Sequence, residues 1–513
     1  MNLDTCLSHL PRAYPGPGGA VAVLRGSEVL ARHAWGYANA ERRIPFTPAS
    51  LFRICSITKQ FTCAAMLDAF PDPALLDGDV RAMLPGLAGL VPGALHLAHN
   101  QSGLRDYWAV AMLHGSPVEA PFGDAEAARL LRGTTSLHFA PGSRYSYVNQ
   151  NFRILSDILA ARAGQDFATL LRERVLHPAG MGSAILAADT RALPDGSEGY
   201  EGNVASGFRR AENRILWTGD AGLAASLDDM IAWERFIDTT RDAPDGLYRR
   251  LSAPVHFADG APAPYGFGLG RGEEFGRAIT GHGGALRGWR SHRLHMAAER
   301  LSVVVLFNHF GDAASAALDL LAAALGESRP TPEPRPALPT WLGAYRDPES
   351  GLAVRFDATQ DGRVRLRFGH GPEMLEPAED GSASNGRTQV FTRDGALIMA
   401  RPQENFSTTL QPAPLGQSGS IGGQYRCAEL DATLTITEAG GVAYGGFGGF
   451  LGQGRMELLE PIAQDLWALP CPRALDHTPP GDWTLDVTRD GGGVATSITL
   501  GCWLARGLRY RRV

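Results

Sequence analysis

Proline and glycine divide this chain before anything else can be read from it. The stretch from Arg329 to Pro339 places a proline at 330, 332, 334, 336 and 339. Such a run fixes φ and removes N–H donors, so it favours an extended, polyproline-like linker. A second break, Gln411 to Gly423, mixes proline, serine and glycine. The two breaks delimit segments at 1–328, 340–412 and 421–513.

The segments differ in hydrophobic period. In the first, Val21-Ala22-Val23-Leu24 and Leu301 to Phe307 read as strands, while Phe61 to Phe70 and Ala313 to Leu325 read as helices. Strands near both ends suggest one antiparallel sheet that the two ends complete, with helices around it. The later segments alternate with period two at Leu352–Phe356, Val364–Phe368, Leu434–Thr437 and Trp483–Val487. Asp361-Gly362, Asp394-Gly395, Gly440-Gly441 and Asp490-Gly491 mark the turns between such runs. Gly343-Ala344-Tyr345-Arg346 recurs as Gly423-Gln424-Tyr425-Arg426. The expected architecture is α+β, followed by two tandem antiparallel barrels of similar ancestry.

Composition serves mainly to exclude. A net charge of −6 offers no general attraction to phosphate backbones, so nucleic acid is not an expected partner. The six cysteines include no Cys-x-x-Cys pair and are too sparse for a disulfide framework, which argues against a structural zinc site as well. His292 and His295 lie in a strand-like run without a carboxylate at ligand spacing, so no metal is expected. No cofactor is expected either: Gly445 to Phe450 lacks a following helix and reads as tight turns or bulged strand. The N-terminus lacks the basic-then-apolar pattern of a signal peptide, and no apolar run reaches about 18 residues. A cytoplasmic protein with reduced thiols and no membrane association is expected.

Of 48 lysines and arginines, Lys59 is the only lysine. It is either a survivor of compositional bias or a residue whose work arginine cannot do. A desolvated lysine can lose its proton and act as a base, whereas arginine cannot. Lys59 closes the pattern Ser56-Ile57-Thr58-Lys59. Three residues apart on a helix, the two side chains share a face. The hydroxyl at the helix start would lie at the positive end of the dipole. The plain alternative is a capping serine followed by a solvent-facing lysine.

Two further clusters sharpen the reading. Tyr145-Ser146-Tyr147-Val148-Asn149 precedes a helical run and offers a phenol and an amide. The phenol can shuttle protons, and Asn149 can hold both the lysine and a substrate carbonyl; the alternative is a packed ring with a wet hydroxyl. Thr280-Gly281-His282-Gly283-Gly284 lies just before the strands near 290–307, where Gly284 and its neighbours would let a substrate lie along a strand edge. Alone, such a stretch is as well explained by a turn and a structural histidine. Ser-x-x-Lys, Tyr-x-Asn and His-x-Gly, in this order along one segment, form a much more specific signal.

At these residues the chain resembles the penicillin-recognising serine hydrolases, which include β-lactamases, D,D-peptidases and esterases. Histidine in the third box, in place of lysine, resembles the serine D-aminopeptidases. Asn100 to Trp108, Gly219 to Leu223 and Cys502 to Gly507 support this likeness along the whole chain. The resemblance implies a β-lactamase-like catalytic domain followed by two antiparallel β-barrel domains. It implies an enzyme releasing N-terminal D-residues, small and D-alanine-like, from peptides, amides and esters. Ser56 would be the nucleophile, Lys59 its proton acceptor, Tyr147 the proton shuttle and His282 the third-box residue. A homodimer is also implied. The neighbouring readings are a β-lactamase, a D,D-carboxypeptidase, an esterase, or an idle penicillin-recognising sensor module.

One long loop separates the strand-like runs Asp465–Leu469 and Trp483–Val487. Within it lie Pro472, Arg473, Ala474, Leu475, Asp476, His477, Thr478, Pro479, Pro480, Gly481 and Asp482. Hairpin loops usually take about 2–5 residues. Read alone, the segment is a surface loop with solvated charges. The resemblance makes it a specificity loop whose Asp476 pairs with the substrate's free amine, oriented by His477 or Arg473.

Overall fold

The apolar run Leu301–Phe307 is too hydrophobic for a strand with one wet face, and its setting explains why. In the computed structural model, residues 2–329, 336–414, 416 and 419–513 are described; the proline-rich break lies largely, and Gln411–Gly423 partly, outside them. The first unit is built on an antiparallel sheet. Its strands are β1 (Gly18–Arg25), β2 (Glu28–Asn39), β3 (Ile44–Pro45), β4 (Tyr265–Gly266), β5 (Leu269–Glu274), β6 (Arg277–Leu286), β7 (Trp289–Met296) and β8 (Leu301–Phe307). Their order is β4-β5-β6-β7-β8-β1-β2-β3, so the strands from the two ends of the unit meet at its middle. Val21 faces Val305 and Val23 faces Val303 across that seam.

Both faces of the seam are covered, which permits an unbroken apolar strand. Val303, Val305 and Phe307 pack with α1 (Leu3–Ala13) and a C-terminal helix, Ala313–Leu325. Val304 and Leu306 face the larger cluster formed with α2 (Thr58–Ala69), α3 (Gln150–Ala163) and α4 (Leu227–Thr240). Every residue of α2 from Thr58 to Leu67 is buried, so this helix has no solvent face on which Lys59 could be an ordinary surface cation.

The two later units share a plan. Eight strands between Gly343 and Pro412 form a closed barrel. A second sheet spans Gly423 to Arg512. In both, the first strand pairs with the second and with the last. The repeated tyrosine does the same job in each: Tyr345 donates to Trp341 O at 2.7 Å and Tyr425 to Ile421 O at 2.8 Å. The second ladder does not close strand to strand. Its gap is spanned by 457–463, where Leu458 pairs with Tyr444 and Glu460 with Ala468. Pro461 lacks an N–H, and a bulge lies between Pro461 and Ala463. The glycine-rich run from Gly445 lies in the strand Val442–Gly449 and the turn after it.

No helix among the described residues is long and apolar enough to cross a membrane. All six cysteines are buried thiols.

Candidate active site

Ser56 occupies a 3₁₀ turn, Cys55–Ile57, that runs directly into α2. The residue before it, Cys55, takes a left-handed φ of 53°, which tips Ser56 out of the core toward a cleft. Lys59 stands one turn on and is fully buried. Its Nζ lies 3.0 Å from Ser56 Oγ, 2.9 Å from Asn149 Oδ1 and 2.7 Å from the Asp220 carbonyl oxygen. Burial lowers the Lys59 pKa to about 8, against the opposing pull of Asp220, Asp106 and Asp476.

Tyr147 and Asn149 come from the segment leading into α3. The Lys59 ammonium position lies 5.0 Å from the Tyr147 ring centre. Burial holds the phenol well above its ordinary pKa, and a hydrogen bond with Ser56 only partly offsets this. Tyr147 is therefore a neutral phenol at physiological pH, able to donate and accept but not to serve as a standing base.

The third box precedes the strands near 290–307, as expected, and itself lies inside a strand. His282, Gly283 and Gly284 belong to β6. Pairing with β5 ends at Gly281, opposite Gly270, and pairing with β7 runs on through Leu286. The Leu286–Trp289 pair closes a two-residue turn, so the even-numbered residues of β6 exchange hydrogen bonds with β7. The amides of Gly283 and Ala285 then face the edge that β5 has vacated, beside Ser56. Gly284 is needed where it stands: a Cβ there would lie 2.3 Å from Ile54 O and 2.2 Å from Ser291 Oγ.

His282 is not a freely reaching side chain. Its Nε2 meets the Tyr265 hydroxyl at 3.0 Å and its Nδ1 meets Gly283 O. Burial first, and Lys59 second, lower its pKa to about 3. The third box is thus an uncharged imidazole.

Asp476 enters from the last unit. With Ser56, Tyr147, Asn149, Gly283 and Ala285 it lines a cleft of about 440 Å³. The loop that carries it is no surface excursion. Ala474 and Leu475 join the apolar core of the first unit. The His477 ring stacks on Phe310 at 4.6 Å, Arg473 pairs with Glu119, and Asp482 pairs with Arg355 at 2.9 Å. Neither His477 nor Arg473 orients the carboxylate, because both are engaged elsewhere; the Thr478 N–H does so at 3.0 Å. Burial, reinforced by Asp106, raises the Asp476 pKa to about 7. Thr478 and Pro480 also line the cleft, whereas Pro472, Pro479, Gly481 and Asp482 line a separate cavity between the two later units.

Motif reading missed Asp106, Asp220 and Tyr265. Asp106 accepts from both the backbone and the side chain of Asn149, and Asp220 accepts the Tyr107 hydroxyl at 2.6 Å. Both lie in stretches that support the family likeness, but their partners are distant in sequence. No group of three or more His, Cys, Asp or Glu side chains among the described residues is arranged to hold a metal ion.

The arrangement is a hydroxyl beside a desolvated amine, a neutral phenol across from it, and a strand edge offering outward amides: a site for acyl transfer. Comparison with known proteins agrees on the class. A model of the β-lactamase family matches residues 3–327, and a model described as D-aminopeptidase, domain B, matches residues 335–511. A D-aminopeptidase of Gluconobacter oxydans (strain 621H) is 60% identical over 520 residues, covering 100% of this chain and 98% of its own. One from Brucella ovis is 47% identical over 512 residues, with coverage of 100% and 98%. This chain belongs to the D-aminopeptidase family. Among solved structures, the octameric penicillin-binding protein homologue from Pyrococcus abyssi shares the fold, with a TM-score of 0.56 and 22% identity over 80% of this chain and 99% of that one. A D-amino acid amidase from Ochrobactrum anthropi SV3 gives 0.51 and 18%, over 63% and 98%.

Proposed function

We propose that this protein is a serine hydrolase that releases an N-terminal D-residue from small peptides, amides and esters through an acyl-enzyme. The observation that carries this reading is Lys59, a buried amine touching the Ser56 hydroxyl. As Oγ attacks the carbonyl carbon, its proton passes to Lys59. The carbonyl oxygen becomes an oxyanion facing the N–H groups of Ser56 and Ala285. Collapse of the adduct breaks the bond to the leaving amine or alkoxide. Tyr147 gives that group its proton and is reprotonated from the Lys59 ammonium. Water then attacks the ester, passes a proton back along the same relay, and frees the acid and Ser56.

Asp476 selects the amino end. A carboxylate pairs with an ammonium, and the buried loop behind it blocks extension past that amine. Uncharged His282 offers no cation for a carboxylate beside the scissile bond, so amides and esters are expected to serve as well as peptides. Preference for D over L rests on the named activity of the relatives. A homodimer rests on the family resemblance alone and is tested by light scattering.

The test is a substrate panel: D-alanine p-nitroanilide, its L form, its N-acetyl form, a p-nitrophenyl ester and a β-lactam. Turnover led by the free D-amine supports the reading. Preferential β-lactam or N-blocked ester turnover replaces it with a β-lactamase or esterase, and an inert protein replaces it with a sensor module.

A further inference from the structure

Asp106 is a buried carboxylate that the mechanism above leaves without a task. It caps the helix Tyr107–Leu113, where its Oδ1 accepts the Trp108 N–H at 3.0 Å. Its Oδ2 does something a cap does not require. It accepts the Asn149 backbone N–H at 2.7 Å and the Asn149 Nδ2 at 3.0 Å.

Burial raises the Asp106 pKa to about 6, so at the pH where Lys59 becomes neutral the carboxylate is ionised and only accepts; it gives the Asn149 amide one orientation, with NH₂ toward Asp106 and Oδ1 toward Lys59. The partners of Lys59 then sort themselves. Asn149 Oδ1 and Asp220 O are acceptors that have no proton to give. A neutral amine has two N–H groups and one lone pair. Both N–H groups are taken by those oxygens, and the lone pair is left facing Ser56 Oγ at 3.0 Å. A flipped Asn149 would present its NH₂ to Lys59 and occupy that lone pair.

Resting on the reading of Ser56 as nucleophile and Lys59 as base, we infer that Asp106 is a positioning residue: by fixing the Asn149 amide it aims the Lys59 lone pair at Ser56. The last unit supports this arrangement. The Asp106 N–H donates to Leu504 O at 3.0 Å, and Arg105 Nε donates to Arg506 O at 2.9 Å. Arg105 also pairs with Glu429 at 2.9 Å. The second sheet therefore reaches the base by a route separate from the Asp476 loop.

Lys59 is faced by the carboxylates of Asp106, Asp220 and Asp476 and by the Cys55 thiol, with Tyr147 and His282 beside it. A nearby carboxylate favours the ammonium form. Removing the Asp106 charge therefore lowers the Lys59 pKa and moves the acid limb of kcat/KM to lower pH. A substitution that merely loosened the pocket would admit water, relieve the burial and move that limb to higher pH. The two roles differ in sign.

The experiment measures kcat/KM against pH on an N-blocked ester, whose acid limb does not require Asp476, for Asp106→Asn and for Asp106→Ser, the latter keeping a helix cap. A double-mutant cycle with Asn149→Ala accompanies it. The plateau is expected to fall about 100-fold, as for a misplaced reacting group, with the acid limb displaced to lower pH. In the Asn149→Ala background, Asp106→Ser is expected to cost less than about 2-fold more, because the two residues act as one unit. An unchanged plateau, a limb that stays or moves to higher pH, or fully additive losses would overturn the inference. If only Asp106→Asn yields folded protein, its pH profile decides alone. Ser56→Ala in the same assay separates the two levels: an active Ser56→Ala removes the nucleophile reading and this inference with it, whereas an inactive one beside wild-type-like Asp106 variants removes this inference alone.

Discussion

The site has two halves of different origin. The Ser56 turn, α2, Asn149 and the edge of β6 all belong to one unit, and Lys59 is held there on three sides. The other half, Asp476, is delivered from the last unit on a loop seated by Leu475, Phe310 and two ion pairs. Saturated, buried contacts suit the group that must make and break bonds. A borrowed loop suits the group that only decides what enters, because none of the three hydrogen-bond partners of Lys59 comes from it. Substitutions in the first half should therefore act on every substrate, and those in the second on free-amine substrates alone.

The largest effects test the first half. Ser56→Ala and Lys59→Arg are each expected to lower kcat by roughly 10⁴-fold or more on all substrates, since arginine cannot take up the serine proton. Steady-state kinetics on an amide and an N-blocked ester check this; selective loss on one of them would break the comparison. Gly284→Ala should follow at about 100-fold in kcat, because its methyl group must push β6 away from Ile54 O. Asp476→Ala is expected to raise KM for free-amine substrates roughly 30-fold, the cost of one charge-assisted contact. Its kcat, and both constants for N-acetylated substrates, should stay within about 3-fold.

The pH profile separates the halves in one enzyme. Lys59 must be neutral to act and is so above about 8, while Asp476 must be ionised to hold an ammonium and is so above about 7. Both requirements fail as pH falls. For free-amine substrates, kcat/KM should drop on the acid side with a slope approaching two; for N-blocked substrates, the slope should be one. Asp476→Asn should reduce the slope of the first profile to one. Smallest of all is Arg473→Ala. Its pairing with Glu119 is partly exposed, with side-chain exposures of 29% and 43%, so about a 2-fold rise in KM is expected.

Much of this was legible without coordinates, for identifiable reasons. Ser56 and Lys59 lie three residues apart, and Tyr147 and Asn149 two apart, so local spacing carries them. The tyrosine of the two Gly-x-Tyr-Arg repeats marks the same strand in both later units because it makes the same bond four residues back. What stayed hidden depends on distant partners. Asp106 meets Asn149 across 43 residues and Lys59 meets Asp220 across 161. Nothing near His282 in sequence announces that Tyr265 holds it. The second sheet's unclosed ladder, where 457–458 pair with one strand and 460–463 with another, is a register matter that period-two alternation does not reveal. The apolar pair Ala474-Leu475, inside an otherwise polar loop, was the available signal that the loop is anchored.

Lys59 has one more consequence, and it is spectroscopic. Because the chain has a single lysine, buried against the nucleophile, growth on isotopically labelled lysine places one label in the whole molecule, at the reacting centre. Its ammonium or amine resonance needs no assignment. Titrating that signal reads the protonation of the base directly, and adding a substrate analogue reports how the amine's surroundings change when the cleft fills.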